Sequence, residues 1–173
     1  ITERKRTEEL LLVQKELAIE LGSARKLDDA LKLCLDTAIQ YTEYDSGGLY
    51  LLDPKSGDAI LKYHTGLSRN FISSSKHYPA DSTQVGFILA GNSAFLDGEN
   101  NIRPLAELAA EEGIKSLALI PIKHGSNIIG IINIASHEER KLSSFVRKAV
   151  ESLIAQIGNV IARSMAQDET RKS

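Results

Sequence analysis

The chain has no tryptophan, one cysteine and one methionine among 173 residues, and its aromatic residues amount to only 5%. A lone cysteine, Cys34, excludes an intramolecular disulfide and any multi-cysteine zinc or iron–sulfur site. It also fits a reducing compartment, so a cytoplasmic location is expected. Charge of one sign is missing as well: 21 Lys and Arg stand against 23 Asp and Glu, a net −2. That balance carries no electrostatic footprint for nucleic acid or an anionic membrane. The apolar runs, such as Val85 to Ala90 and Ile128 to Ile132, fall far short of the ~20 residues of a membrane helix, and no signal-peptide pattern opens the chain, so direct membrane insertion is not expected.

Catalytic signatures are also wanting. Gly125 and Gly130 have the outer spacing of a phosphate-binding loop, but Ile131 and Ile132 follow where Lys and Ser or Thr are needed. There is no GxGxxG, no GxSxG and no HExxH, and the serines beside glycine, Ser46 and Ser126, read as turn residues. Of the four histidines, His124 and His137 fall at opposite ends of an expected hairpin, ~25 to 30 Å apart at about 3.3 Å per residue, too far to share a metal. His64 and His77 flank an irregular segment and could meet in a cleft, but few ligands surround them. No metal site is expected, and the cofactor is unknown. Cys34 sits among apolar helical positions and reads as a small buried hydrophobe.

What is present is ordinary globular composition, 42% hydrophobic and 25% charged, in a chain of single-domain size that folds to roughly 8,300 Å² of accessible surface. From Thr7 to Leu21 the residues Leu10, Val13, Leu17 and Leu21 recur at helical steps, with Leu12 and Ile19 on a second side. Gly22 and Ser23 interrupt that helix, and Leu27 to Tyr41 forms another. The period then shortens. Gly48 to Leu52 and Ala59 to Tyr63 read as a hairpin joined through Pro54 and Gly57. Thr65 to Asp81 is a loop with a short helix, Thr83 to Ala90 a helix capped by Asp81 or Ser82, Ala94 to Leu96 a brief strand, and Pro104 to Glu112 a helix stopped at Gly113. Ser116 to Lys123 and Ile128 to Ser136 form a second hairpin, and Ser143 caps a last helix running to about Ala166, with Val146, Val150, Leu153, Ile157 and Val160 on its apolar stripe. The expected fold class is α+β, a central antiparallel β-sheet with helices on both faces.

This order resembles a known family, the GAF domain, a small-molecule-sensing module of signalling proteins. The resemblance rests on LDDALKLCLDTA (Leu27 to Ala38), DSGGLYLL (Asp45 to Leu52), Gly66-Leu67-Ser68, VGFILAG (Val85 to Gly91), EGIKSLALIPI (Glu112 to Ile122), IIGIINIAS (Ile128 to Ser136) and ESLIAQIGNVIAR (Glu151 to Arg163). The opening ITERKR, Ile1 to Arg6, resembles the end of a PAS domain, as at junctions in sensor histidine kinases, and the charged ends read as those of a piece of a longer chain. The resemblance implies a three-layer α/β/α domain over 24–166, preceded by a linker helix over 1–23 and followed by a tail over 167–173. It implies flanking PAS and kinase domains in the parent protein, and a two-component signalling role. The chain departs from several relatives. It lacks the Asn-Lys-x-Asp-type signature of cyclic-nucleotide GAF domains, a cysteine at the pocket for a bilin, and the several cysteines of sulfoxide-reducing relatives. Haem ligation by His64 or His77 has no supporting motif. No kinase phosphoacceptor or ATP-binding box is present, so the chain itself is not expected to be an enzyme.

The leading expectation is a sensory module whose pocket biases a dimeric helical assembly. A ligand-free dimerisation and relay domain stands second, and an enzyme acting through His64 or His77 third. Homodimerisation is expected through the terminal helices, at Leu10, Val13, Leu17, Val150, Leu153, Ile157 and Val160, because each helix carries more apolar surface than one sheet face uses. The ligand pocket is expected between the sheet and the segment from Gly66 to Gly113, lined by Tyr63, Phe71, His77, Phe87, Phe95, Ile120 and Asn133. Strand alternation allows only one of Leu119 and Ile120 to face it, and the reading places Ile120 there with Asn133. Such a wall suits a small, partly apolar, neutral or weakly anionic molecule.

Overall fold

The computed structural model describes residues 2–23 and 26–172, without the side chains of residues 21, 23 and 168–172. The expected domain boundary at Ala24, the Leu21 side chain, and the side chains from Asp168 onward in the charged tail lie outside the described residues. Helices α1 (Glu3–Ser23) and α2 (Leu27–Thr42) lead into the hairpin β1 (Ser46–Leu52) and β2 (Ala59–Thr65). A run of short elements follows: α3 (Arg69–Ser75), β3 (His77–Tyr78), α4 (Thr83–Ala90), β4 (Ala94–Asp97), α5 (Glu99–Ile102) and α6 (Glu107–Glu111). The hairpin β5 (Ser116–His124) and β6 (Asn127–Ser136) and the long helix α7 (Ser144–Lys172) complete the chain.

Local chemistry sets most of these limits. Ser82 Oγ accepts from Val85 N–H to start α4, and Gly91, at φ 76°, ends it in the left-handed conformation that glycine adopts without a Cβ clash. Ser68 Oγ accepts from Phe71 N–H at the head of α3, and Ser143 Oγ accepts from Val146 N–H at the head of α7. Several boundaries differ from the sequence reading, among them that α7 runs past Ala166 to Lys172. Helix α1 runs through Gly22 to Ser23. The helix expected from Pro104 to Glu112 is shortened to Glu107–Glu111, and a separate four-residue helix, α5, precedes Pro104. The loop before Asp81 contributes a two-residue strand, β3.

The six strands pair antiparallel in the order β3-β2-β1-β6-β5-β4. Strand alternation divides their side chains between two cores. On one face Leu49, Leu51, Ala118, Ile120, Ile122, Ile132 and Ile134 pack under Leu17 of α1, Leu31 and Leu35 of α2, and Val150, Leu153 and Ile157 of α7. On the other face Tyr50, Leu117, Leu119, Ile131 and Ala135 pack under Val85, Ile88, Ile102 and Ala109 from the short elements. The architecture is therefore the α+β sandwich expected, with helices on both faces of an antiparallel sheet. Cys34 is fully buried in the first core, and burial pushes its thiol far up from its ordinary pKa, leaving it unreactive. No helix among the described residues is long and apolar enough to cross a membrane.

Two helix glycines have opposite surroundings, Gly158 against the sheet and Gly86 on the solvent side of its helix. A Cβ on Gly158, in α7, would lie 2.5 Å from the Lys123 carbonyl oxygen of β5, so the helix sits against backbone there. A Cβ on Gly86, in α4, would meet nothing within 4 Å. Alanine gains ~1 kcal/mol over glycine in a helix interior, whereas forcing a helix off its sheet costs ~1–3 kcal/mol. Gly86→Ala is accordingly expected to raise the urea midpoint and Gly158→Ala to lower it, in equilibrium unfolding followed by circular dichroism.

Candidate ligand cavity

The less regular face encloses a partly open cavity of about 710 Å³. Its floor is the sheet: Gly48 and Tyr50 of β1, Leu117 and Leu119 of β5, and Ile131, Asn133 and Ala135 of β6. A Cβ on Gly48 would lie 3.0 Å from Leu61 Cδ1, so glycine lets that side chain approach the strand closely beside the Tyr50 ring. The roof is built from the short elements, with Phe71 and Ser74 of α3, Tyr78 of β3, Gln84 and Phe87 of α4, and Leu108 and Glu111 of α6. The volume lies within the ~300–1,000 Å³ of small-molecule sites.

Helices this short do not hold themselves together, so tertiary contacts must fix the roof. The Tyr50 hydroxyl, rising from the floor, donates to the Ser75 carbonyl at the end of α3 at 2.7 Å, and Ser75 Oγ donates back to the Phe71 carbonyl at 2.7 Å. Burial pushes the Tyr50 phenol well above its ordinary pKa, so it stays a neutral donor. Its ring lies 5.8 Å from that of Tyr78, tilted by 44°. At the rim the Glu112 carboxylate accepts from both the Ser68 N–H, at 2.9 Å, and the Ser68 hydroxyl, at 2.7 Å, tying the head of α3 to the end of α6. Farther out, Asp58 accepts from His77 Nε2 and from the Ala80 N–H. The His77 bond, then the Ala80 bond, holds the Asp58 carboxyl below its usual range.

Three of the seven residues expected at the pocket, Phe71, Phe87 and Asn133, line this cavity together. The other four are elsewhere. Ile120 is buried on the opposite face among the helices, and Leu119 takes the cavity position. The cause is a register shift between Ile122 and Lys123, where Ile129 is the extra residue in β6, so that Leu119, not Ala118, pairs with Asn133. Phe95 and Tyr63 also point to the helical face. The Arg147 guanidinium lies 5.2 Å from the Phe95 ring centre, and the Tyr63 hydroxyl donates to Asp36 at 3.4 Å. His77 is exposed on β3 with Asp58. It does not meet His64, which stands exposed on β2 opposite Gly48.

Tyr50, Tyr78, Leu119, Glu107 and Glu111 line the cavity without having been expected there. Tyr50 was legible, since it stands two residues from Gly48 on one strand face. The glutamates were not, because they belong to α6, whose start depends on where Pro104 breaks the chain. Among the described residues no group of three His, Cys, Asp or Glu is placed to hold a metal ion. His137 instead pairs with Asp45, and His124 with Asn159.

The residues expected to form a dimer seam also have partners inside the chain. Leu17, Val150, Leu153 and Ile157 are buried in the helical core, and Leu10, Val13 and Val160 pack partly buried against it. Amphipathic surface that faces a neighbouring helix of the same chain is indistinguishable, in sequence, from surface that faces a second copy. Among the described side chains of α1, the large apolar residues left open are Leu11, Leu12 and Ile19, at 59%, 57% and 65% exposure.

A family model described as GAF domain matches residues 24–162. Among solved structures, the GAF domain from an Acinetobacter phosphoenolpyruvate-protein phosphotransferase superposes with a TM-score of 0.76 at 20% identity, covering 96% of this chain and 97% of that one. A domain of a putative two-component sensor histidine kinase protein from Sinorhizobium meliloti 1021 gives 0.69 at 18% identity, covering 87% and 100%. The phycoerythrobilin-bound GAF domain from a cyanobacterial phytochrome gives 0.71 at 15% identity, covering 94% and 99%. At these identities the structures share the fold. Among curated protein sequences none matches.

If the Tyr50 hydroxyl holds the roof, Tyr50→Phe leaves the buried Ser75 carbonyl without its donor, at a cost of ~1–3 kcal/mol. The expected result is a lower melting temperature, with hydrogen exchange accelerated in residues 69–75 and unchanged in the strands β5 and β6.

Proposed function

This chain belongs to the GAF domain family, and on that premise we propose that it is a small-molecule-sensing regulatory module of a signal-transduction protein, rather than an enzyme in its own right. The observation that carries the proposal is the cavity. A volume of about 710 Å³ between sheet and roof favours a ligand site over a relay domain filled by its own side chains. The parent is a cytoplasmic sensor histidine kinase with PAS and kinase domains flanking this module. The opening ITERKR and the likeness to the Sinorhizobium meliloti domain support that assignment. Ligand binding biases the terminal helices, which act as a homodimer.

For the dimer, the exposed face of α1 replaces the seam first expected. Leu12 and Ile19 are seven residues apart, one heptad, with Leu11 beside them. The accessible surface of 9947 Å² exceeds by roughly a fifth what a compact monomer of this mass exposes.

Two measurements test the reading. Native mass spectrometry and thermal-shift screening of the purified chain are expected to find a small molecule that raises the melting temperature, and Asn133→Phe, which fills the cavity from its floor, abolishes the shift while the protein stays folded. A screen in which the stabilising compounds act equally on Asn133→Phe refutes the pocket. In sedimentation, Leu12→Glu with Ile19→Glu yields a folded monomer. Leu17→Glu with Ile157→Glu instead buries charges in the chain's own core and unfolds it, since an unpaired buried charge costs several kcal/mol. A variant at Leu12 and Ile19 that remains dimeric excludes this face.

A further inference from the structure

The charge of the cavity is one-sided. Among the described residues its lining contains two carboxylic acids, Glu107 and Glu111, and no Lys, Arg or His. The sequence reading, a neutral or weakly anionic ligand, leaned on His77, which lies outside the cavity. Arg103, behind the rim, does not reverse the sign. It pairs with Glu99, comes within 4.0 Å of Glu107, and feels Glu111 as well. Three carboxylates facing one guanidinium leave the rim negative.

The helix ends around the cavity are partly capped already. Ser68 already caps α3, Ser82 caps α4, and Glu107 occupies the first turn of α6. Tyr50, Phe71, Tyr78 and Phe87 place four aromatic rings in the lining, whose faces attract cations. Asn133, on the floor, has its Oδ1 buried without a hydrogen-bond partner. That oxygen accepts and cannot donate, and a buried acceptor left unpaired is costly.

Resting on the sensor reading, we propose that the cavity selects an organic amine in its cationic form. The apolar or aromatic body lies among the four rings, the Asn133 amide turns so that Oδ1 accepts an N–H of the ligand, and the ammonium charge is held on the side of Glu107 and Glu111. Phosphate- and carboxylate-bearing molecules are rejected, because they would bring a negative charge to an acidic rim.

Three probes of one shape test this: tryptamine (cationic), tryptophol (neutral) and indole-3-acetate (anionic), each titrated into the intact chain by calorimetry at low and high salt. The expected order is tryptamine over tryptophol by about tenfold, with indole-3-acetate weakest and the tryptamine advantage shrinking as salt screens the rim. Glu107→Gln with Glu111→Gln is expected to remove the tryptamine advantage and leave tryptophol binding unchanged. Asn133→Leu weakens both, and tryptamine shifts the Asn133 side-chain amide resonances of the wild type.

Tryptophol binding equal to or tighter than tryptamine overturns the charge selection while the sensor reading stands. So does a tryptamine advantage that survives in the double glutamine variant. Indole-3-acetate binding as tightly as tryptamine does the same. No binding by any of the three overturns this proposal alone if the thermal-shift screen still yields a cavity ligand, and both readings if it does not.

Discussion

Everything in this molecule depends on a sheet that must satisfy two faces at once. Along β1, β5 and β6 consecutive side chains go to opposite sides, and both sides are covered. Each strand is therefore apolar at almost every position, as in Leu49-Tyr50-Leu51 and in Leu117 through Ile120. The two faces are not equivalent. The α1, α2 and α7 side receives long helices whose apolar stripes fill it completely. The other side receives helices of eight residues or fewer, which cannot present a continuous stripe. Side-chain volume runs out there before the space does, and the remainder is the cavity.

A cavity under short elements survives only if its roof is tied down by something other than packing. Here the ties are hydrogen bonds between side chain and backbone at the ends of the short elements: Tyr50 to the Ser75 carbonyl, Glu112 to the Ser68 N–H, Asp58 to the Ala80 N–H. Each satisfies a backbone group that a short helix or a turn leaves unpaired. The backbone N–H of Leu61, in β2, adds a fourth by donating to the Lys76 carbonyl. The roof is thus a set of segments around a volume, packed through Val85, Ile88, Ile102 and Ala109 and clamped by polar contacts at their ends.

This division also explains what could be read in the sequence. Periods of 3.6 and 2 are strong where an element is long and one core dictates its pattern, so α2, β5, β6 and the start of α7 were legible from Leu31, Cys34 and Leu35, from the isoleucines of β6 and from Ser143. The cavity was legible in location, because irregular sequence between two hairpins has to lie on the uncovered face. Its individual residues were less so, for one geometric reason. A two-residue hairpin at Gly125-Ser126 with regular pairing would set Asn133 opposite Ala118 and put Ile120 on its face. The single extra residue Ile129 moves the partner to Leu119 and exchanges the faces of the whole strand. Apolar residues on both sides of the strand give no pattern from which such a bulge could be inferred. The same ambiguity of amphipathic surface concealed that the Leu17 and Ile157 stripes face one another's layer within the chain, leaving Leu12 and Ile19 outside.

For a ligand in the cavity to influence the terminal helices, its effect must cross the sheet, and the two faces resist deformation very differently. Ordering a roof of clamped short segments requires little rearrangement and stays on the roof's own side. The helical side is packed against the floor residues' immediate neighbours: Ile132 and Ile134 flank Asn133 on β6 and are both fully buried beneath the helices. A shift of the β6 backbone at Asn133 therefore cannot be absorbed locally, since close-packed side chains transmit displacement instead of yielding to it. A ligand whose contacts were the same in every arrangement of the helices would stabilise the fold without shifting them. A hydrogen bond to the floor at Asn133 would act on the strand whose neighbouring residues, Ile132 and Ile134, the helices cover.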